Sequence, residues 1–228
     1  FNPKTDWVRI LCMLTLLSRP AILLGIVVSL IAVLFPACNN YSILEHIETP
    51  GASVSAVSSC TGVCRLFVTQ APFNGNLGGI SGADSLCRAD AANPAGAGKG
   101  SWRAMLAAAN RYACSSSNCS VSGSAENFNW VLKPMTQYIR PDGTQIGTTN
   151  AASIFAGALS AAIQNPGNNV WTGMFATWTT TGPDDRCNDW TTDSANGIYA
   201  LSGATDNTAI ANFHIACTNT HQLYCAED

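Results

Sequence analysis

Residues Ser81–Pro94 read SGADSLCRADAANP, and the rest of the chain has to fold around what this stretch becomes. Ser81 and Asp84 stand three apart, the spacing of a capping box with Asp in place of the usual Glu or Gln, so a helix is expected to open here. Alanines carry it to about Ala92, and Asn93-Pro94 stops it. Cys87 lies inside that helix, in a chain with ten cysteines. A helix this short is marginal alone and needs a packing partner.

Before the helix, Arg65-Leu-Phe-Val-Thr69 is a short β-rich run, ended by the Pro- and Gly-containing loop Ala71–Gly79. After it, Trp102–Ala108 is ambiguous between strand and helix. Arg111–Glu126 is small, polar and bounded by cysteines, which predicts loop. Trp130–Leu132 and then Tyr138–Arg140, the turn Pro141-Asp142-Gly143 and Gln145-Ile146 predict a hairpin. Asn150 is placed to cap a second helix, Ala151–Ile163, with an apolar stripe of Ile154, Phe155, Leu159 and Ile163. Further short strands are expected at Val170–Met174, Ile198–Leu201 and Leu223–Cys225. Two helices against short antiparallel strands, joined by long loops, make an α+β domain.

The composition is 47% hydrophobic but only 11% charged, which excludes a disordered chain. A net charge of −3 with 11 Lys and Arg argues against nucleic acid as a partner, because phosphate binding concentrates basic side chains. The apolar excess is concentrated in the fifteen uncharged residues Ala21–Phe35, preceded by Arg19 and ended by Pro36. Such a stretch is short for a spanning helix, which needs about 20 apolar residues, and has the parts of a secretory signal. Residues 1–37 are therefore expected to be a signal peptide, with Met13 as the start of its compact form. Leu34-Phe35-Pro36-Ala37-Cys38 resembles a relaxed bacterial lipobox, although Phe35 and Pro36 depart from the strict form. The resemblance implies lipid attachment at Cys38. Residues 38–64 would then be the lipidated N-terminus and a tether, and residues 65–228 the folded domain. Removal of residues 1–37 leaves 8 of the 11 basic and 13 of the 14 acidic residues, a mildly acidic mature chain.

Beyond Cys12 and Cys38 there remain Cys60, Cys64, Cys87, Cys114, Cys119, Cys187, Cys217 and Cys225. An even number in an exported domain suits complete disulfide pairing, which can be made in many ways. A zinc knuckle would need paired Cys-x2-Cys spacing, which is absent.

Gly82-Ala-Asp84-x-x-Cys87, Trp102-Arg-Ala-Met-Leu-Ala107, Tyr138-Ile-x-x-Asp142-Gly143-x-x-Ile146, Val170-Trp171-Thr-Gly173, Cys187-Asn-Asp-Trp190-Thr-Thr192, Cys217 and Leu223-Tyr-Cys225-Ala-Glu227 follow one another in that order. In this order the chain resembles the endostatin domain of the collagen XV/XVIII type, a divergent C-type lectin-like fold. It resembles still more closely the endostatin-like domain of spirochaetal surface lipoproteins, from about Arg65 to Glu227. The resemblance implies pairing of Cys87 with Cys225 and of Cys187 with Cys217, leaving Cys114–Cys119 and Cys60–Cys64 as local bridges. It also implies a lipid-anchored protein of the outer membrane or cell surface that binds host extracellular-matrix proteins or complement regulators.

No catalytic chemistry stands out. There is no Gly-x-Ser-x-Gly elbow and no His-Glu-x-x-His. Asn93–Ser101 (NPAGAGKGS) lacks the first Gly and the Ser/Thr of a phosphate loop and is expected to be a flexible loop. Of the three histidines, His46 lies in the tether, and His214 and His221 flank a cysteine expected to be in a disulfide. No cofactor or metal is expected. Gly182-Pro183-Asp184 and Asn188-Asp189-Trp190 depart from the calcium motifs of sugar-binding lectins. Asp184, Asp185, Asp189 and Asp193 hold open a secondary reading as calcium oxygens beside that of a solvated acidic loop. The arginines are dispersed, which disfavours heparin. Trp171 and Trp190 are expected in the core, whereas Trp178, with Asp184, Asp185 and Arg186, is the candidate for an exposed ligand contact. The alternatives to a macromolecule-binding domain are a carbohydrate-binding C-type lectin-like module and a structural envelope lipoprotein without an external ligand.

Overall fold

The computed structural model describes residues 60–228. The signal segment, Cys12, the lipid-attachment candidate Cys38 and the tether through residue 59 lie outside the described residues. The strands are β1 (Val63–Val68), β2 (Trp102–Ala104), β3 (Gln137–Ile139), β4 (Gln145–Thr148), β5 (Asn169–Trp171), β6 (Asn196–Leu201), β7 (Phe213–Ala216) and β8 (Gln222–Glu227); the helical elements are α1 (Gly79–Ala89) and α2 (Cys187–Trp190), besides four short 3-10 turns. The class is α+β. The sheet runs β4-β3-β1-β8-β5-β6-β7, with β2 also on β8. It is mixed, not wholly antiparallel: β1 lies parallel to β3 and β5 parallel to β8, each pair joined by a long excursion of chain, as parallel neighbours require.

Alternation along the strands sorts the core onto two faces. Phe67, Trp171, Leu223 and Cys225 point to one cluster, with Ile80, Ala83, Cys87, Trp102 and Trp190. Leu66, Val68, Val170, Tyr224 and Ala226 point to the other, with Met105, Trp130, Tyr138, Phe155 and Trp178. On the first face α1 covers the sheet and the Cys87–Cys225 disulfide bolts it to β8. The second face is covered by loops.

All eight cysteines among the described residues are paired: Cys60–Cys64, Cys87–Cys225, Cys114–Cys119 and Cys187–Cys217. Gly75 and Gly197 flank the Cys187 sulfur so closely that a Cβ at either would collide with it.

The Ser81/Asp84 pair does not cap α1. The helix opens one turn earlier, after Gly78 at φ 76, with no side-chain cap. Asp84 instead accepts from the Ala104 amide at 2.8 Å and takes both terminal nitrogens of the buried Arg111 at 2.7 and 2.8 Å. The helix ends at Ala89, because the Asp90 carboxylate turns back to accept from the amides of Gln70, Ala71 and Ala92. The glycine-rich loop after it is held in place rather than free: the Asn93 side chain donates to the carbonyls of Arg88 and Lys99, and the Gly98 amide donates to Arg88. It therefore closes the C-terminal end of α1, the opposite end from the one a phosphate loop serves.

The expected second helix at 151–163 is absent. Ile154, Phe155, Leu159 and Ile163 are buried as their pattern requires, but the backbone around them bonds to other segments. Leu159 donates to Thr205, Ser160 to Ile146 and Gln164 to Ser202. The second helical element is α2, a four-residue turn whose residues Cys187, Asn188, Asp189 and Trp190 all have positive φ, between 49 and 66°, a left-handed turn. β7 has no counterpart among the strands expected from sequence, and Trp130–Leu132 is buried loop rather than strand. The β3–β4 hairpin forms where expected, with Gly143 at φ 85 in its turn.

Candidate binding face

The loops over the second core face form one hydrogen-bonded unit. Residues 112–130 lie beside 174–181 through Cys114 donating to Trp178 at 3.2 Å and Asn118 donating to Thr177 at 2.8 Å. They join 150–156 through the Asn127 side chain on Ala152 at 3.2 Å and the Trp130 indole on Ser153 at 3.0 Å. The Met135 amide reaches Asn150 at 3.1 Å. Beneath them Trp178 packs edge-on to Trp130 with ring centroids 6.2 Å apart, and lies 6.1 Å from Phe155.

Two devices stiffen the 112–130 segment. The Cys114–Cys119 bridge closes its base. The Glu126 carboxylate then collects five donors: the Ser115 and Ser116 hydroxyls and the amides of Ser116, Val121 and Ser122, at 2.6–3.1 Å. These bonds favour the charged form, those from Ser122 first and then Ser116, and hold the carboxyl at about 2. The backbone here is strained as well. Of the ten non-glycine residues with positive φ among the described residues, Asn118, Cys119, Asn129, Met135, Ser153 and Trp178 lie in this loop unit, and the other four are α2. Such conformations persist only where the surroundings over-determine them, and they cluster at ligand-binding sites.

The same unit shows apolar side chains to solvent. Val121 is 79% exposed, Met135 70%, Phe128 51% and Phe175 42%, four of the six large exposed hydrophobics of the described residues. Phe128 stacks on Tyr112 with centroids 5.6 Å apart and planes 22° apart, on the ribbon made where Tyr112 and Phe128 exchange backbone bonds.

The residues singled out from sequence fall elsewhere or play other parts. Trp178 is 3% exposed, so it is the floor of the loop unit and not a surface contact; threonines flank it, but its ring has Trp130 and Phe155 to bury against. Trp171 and Trp190 are buried, as expected. Arg186 is buried too, with Nε on Asp189 at 2.5 Å and Nη1 on the Thr181 carbonyl and Thr180 hydroxyl. It braces α2 and presents no free charge. Asp185 bonds His214 at 2.8 Å, and Asp184 is exposed. Asp189 also accepts from Ala109, and Asp193 from Asn74. The acidic residues thus face different partners, and among the described residues no group of three or more His, Cys, Asp or Glu is placed to hold a metal ion. A cleft of about 570 Å³ lies between the first turn of α1, Asp84, Arg111, Asn129 and Asp189. Its charged groups are already engaged, Asp84 with Arg111 and Asp189 with Arg186.

Nothing in the periodicity of 112–136 marked Val121, Phe128 or Met135. The one available signal is the isolation of Val121 among Ser120, Ser122 and Gly123 and of Phe128 between Asn127 and Asn129.

A family model described as protein of unknown function (DUF1554) matches residues 70–210, a span from the end of β1 to the turn before β7 that includes every segment of the loop unit. No curated protein matches the sequence. The chain belongs to the DUF1554 family.

Proposed function

We propose that this chain is a lipid-anchored bacterial surface protein whose disulfide-pinned loop face binds host macromolecules, extracellular-matrix proteins or complement regulators, without catalysis. The observation that carries this reading is a rigid surface that nevertheless exposes large apolar side chains. Val121, Phe128, Met135 and Phe175 sit on backbone locked by a disulfide, five bonds to one carboxylate and interlocked loops. A surface ordered in advance loses little conformational entropy on association, so more of its contact energy appears as affinity. Exposed aromatic and Met side chains are what protein interfaces favour at their centres.

The endostatin-like, C-type lectin-like fold belongs to the same proposal. It is supported by the order of landmarks from Arg65 to Glu227 and by disulfides that join Cys87 to Cys225 and Cys187 to Cys217, the pairs the resemblance implies. Export to an oxidising compartment fits an even set of paired cysteines. Anchoring rests on the lipobox resemblance at Cys38.

Surface plasmon resonance of the oxidised domain against immobilised laminin, fibronectin and factor H tests the function. Specific binding that disappears after reduction and alkylation supports it. Absence of binding to all three, or equal binding after reduction, contradicts it. Binding confined to a neutral glycan array would favour the lectin-like alternative instead. Metabolic palmitate labelling of wild type and Cys38→Ala tests the anchor separately.

A further inference from the structure

The loop face is unusual in its electrostatics. Across 112–130, 150–156 and 174–181 the only Asp, Glu, Lys or Arg is Glu126, and it is buried under five hydrogen bonds. What remains at the surface is Ser, Thr, Asn, Ala and Gly around Val121, Phe128 and Phe175. Lys133 borders the face but directs its Nζ to the Cys60 carbonyl at 3.0 Å. Arg103 also reaches the unit, donating Nη2 to the carbonyl and side-chain oxygens of Asn129. Among the described residues Arg65, Arg103, Arg111, Arg140 and Arg186 each lie within 4 Å of a carboxylate.

We infer that the partner meets this face with an uncharged, partly apolar patch of protein surface, and that Val121, Phe128 and Phe175 are its anchors. The inference rests on the binding function proposed above and names the chemistry of the partner. A partner charge brought against the face would lose water and meet only Lys133 and Arg103 at its border, both already hydrogen-bonded within the chain, which is costly. A neutral apolar patch loses nothing of the kind. A polyanion is disfavoured for the same reason, since its affinity depends on lysines and arginines that neutralise it. The aliphatic Val121, the most exposed of the four apolar side chains on the loop unit at 79%, favours protein over sugar: a branched aliphatic tip fits an apolar pocket and offers a sugar hydroxyl no hydrogen bond. The Phe128–Tyr112 stack holds its exposed ring at fixed orientation, which suits an anchor. Encounter would proceed without electrostatic steering and the complex would be indifferent to ionic strength.

The test uses the oxidised domain against the same immobilised laminin, fibronectin and factor H, over 50–500 mM NaCl, with V121S, F128S and F175S beside wild type and K99A as a control away from the face. Thermal melting verifies that each variant is folded; the sites are exposed, so native melting is expected. The inference predicts that affinity for any protein bound changes by less than about twofold across the salt range. V121S and F128S should each weaken it by about tenfold or more, F175S should weaken it as well, and K99A should leave it unchanged. Ammonium sulfate should tighten it. Binding that falls steeply with salt, or that survives V121S and F128S, overturns the inference while leaving the binding function standing. Absence of binding to every protein overturns both, and recognition of neutral glycans alone replaces the protein partner with a sugar.

Discussion

Replacing Trp178 separates a floor from a contact. Its ring is 3% exposed and lies against Trp130 and Phe155, so Trp178→Ala removes a large buried aromatic whose cavity the pinned loops cannot close. Such truncations cost about 3–5 kcal/mol, and two lost aromatic neighbours place this one toward the upper end. That is a large part of the roughly 5–15 kcal/mol that holds a domain folded. Trp178 also has φ 63, a left-handed conformation that costs a non-glycine residue about 1 kcal/mol or more. Trp178→Gly leaves the same cavity but relieves that strain. The glycine variant should therefore be more stable than the alanine variant by about 1 kcal/mol, the reverse of the usual order in regular structure. Equilibrium urea unfolding by fluorescence of the remaining tryptophans measures both. An alanine variant within about 0.5 kcal/mol of wild type would match an exposed side chain and refute the packing described. Alanine more stable than glycine would refute the backbone assignment.

Three further outcomes are expected. With 138 residues separating its ends, loss of Cys87–Cys225 as C87A/C225A should cost about 5 kcal/mol, more than the roughly 3.6 kcal/mol for C187A/C217A, whose ends are 30 apart; urea midpoints of the two double variants check the order. Glu126 is held at about 2 against an ordinary 4.5, so its contribution is fully present above about 4.5 and is lost as pH falls through about 2. Protection of the Val121 and Ser122 amides, measured against their intrinsic exchange rates at each pH, should fall over that interval in wild type and be low throughout in E126Q. Burial lowers the His221 imidazole from its ordinary 6.5, where it lies between Trp171 and Tyr199 with ring centroids 4.3 and 4.9 Å away. The unfolded chain takes up the proton first, so stability should be greatest above 6.5 and fall as pH drops toward the folded value. H221Q should flatten urea midpoints measured between pH 8 and 5.

Legibility in the sequence followed the physical range of each signal. The first helix, the β3–β4 hairpin and the strands around Leu66, Val170, Ile198 and Tyr224 rest on local periodicity and turn chemistry, and all were readable. The stripe Ile154, Phe155, Leu159, Ile163 correctly announced burial but not helix. Its residues face the core because Ile146, Ser202 and Thr205 supply backbone partners, and those partners are distant in sequence. Ser81 and Asp84 likewise carry a local helix signal, yet Asp84 is claimed by Arg111, a residue 27 positions away. Trp178 differs from its local signal for the same reason: its threonine neighbours suggest surface, and only the convergence of Trp130 and Phe155 buries it. α2 could not be anticipated, since four successive left-handed residues contradict local preference and depend on Arg186, Cys217 and the Ala107 carbonyl, which accepts from the Trp190 indole.

Amide hydrogen exchange of the oxidised domain, free and saturated with whichever immobilisation-panel protein it binds, locates the interface directly. Slowed exchange concentrated in residues 112–130 and 174–181 is the predicted result. Protection confined to the acidic segment 182–193 or to α1, with the loop unit unchanged, would contradict the assignment of the binding face.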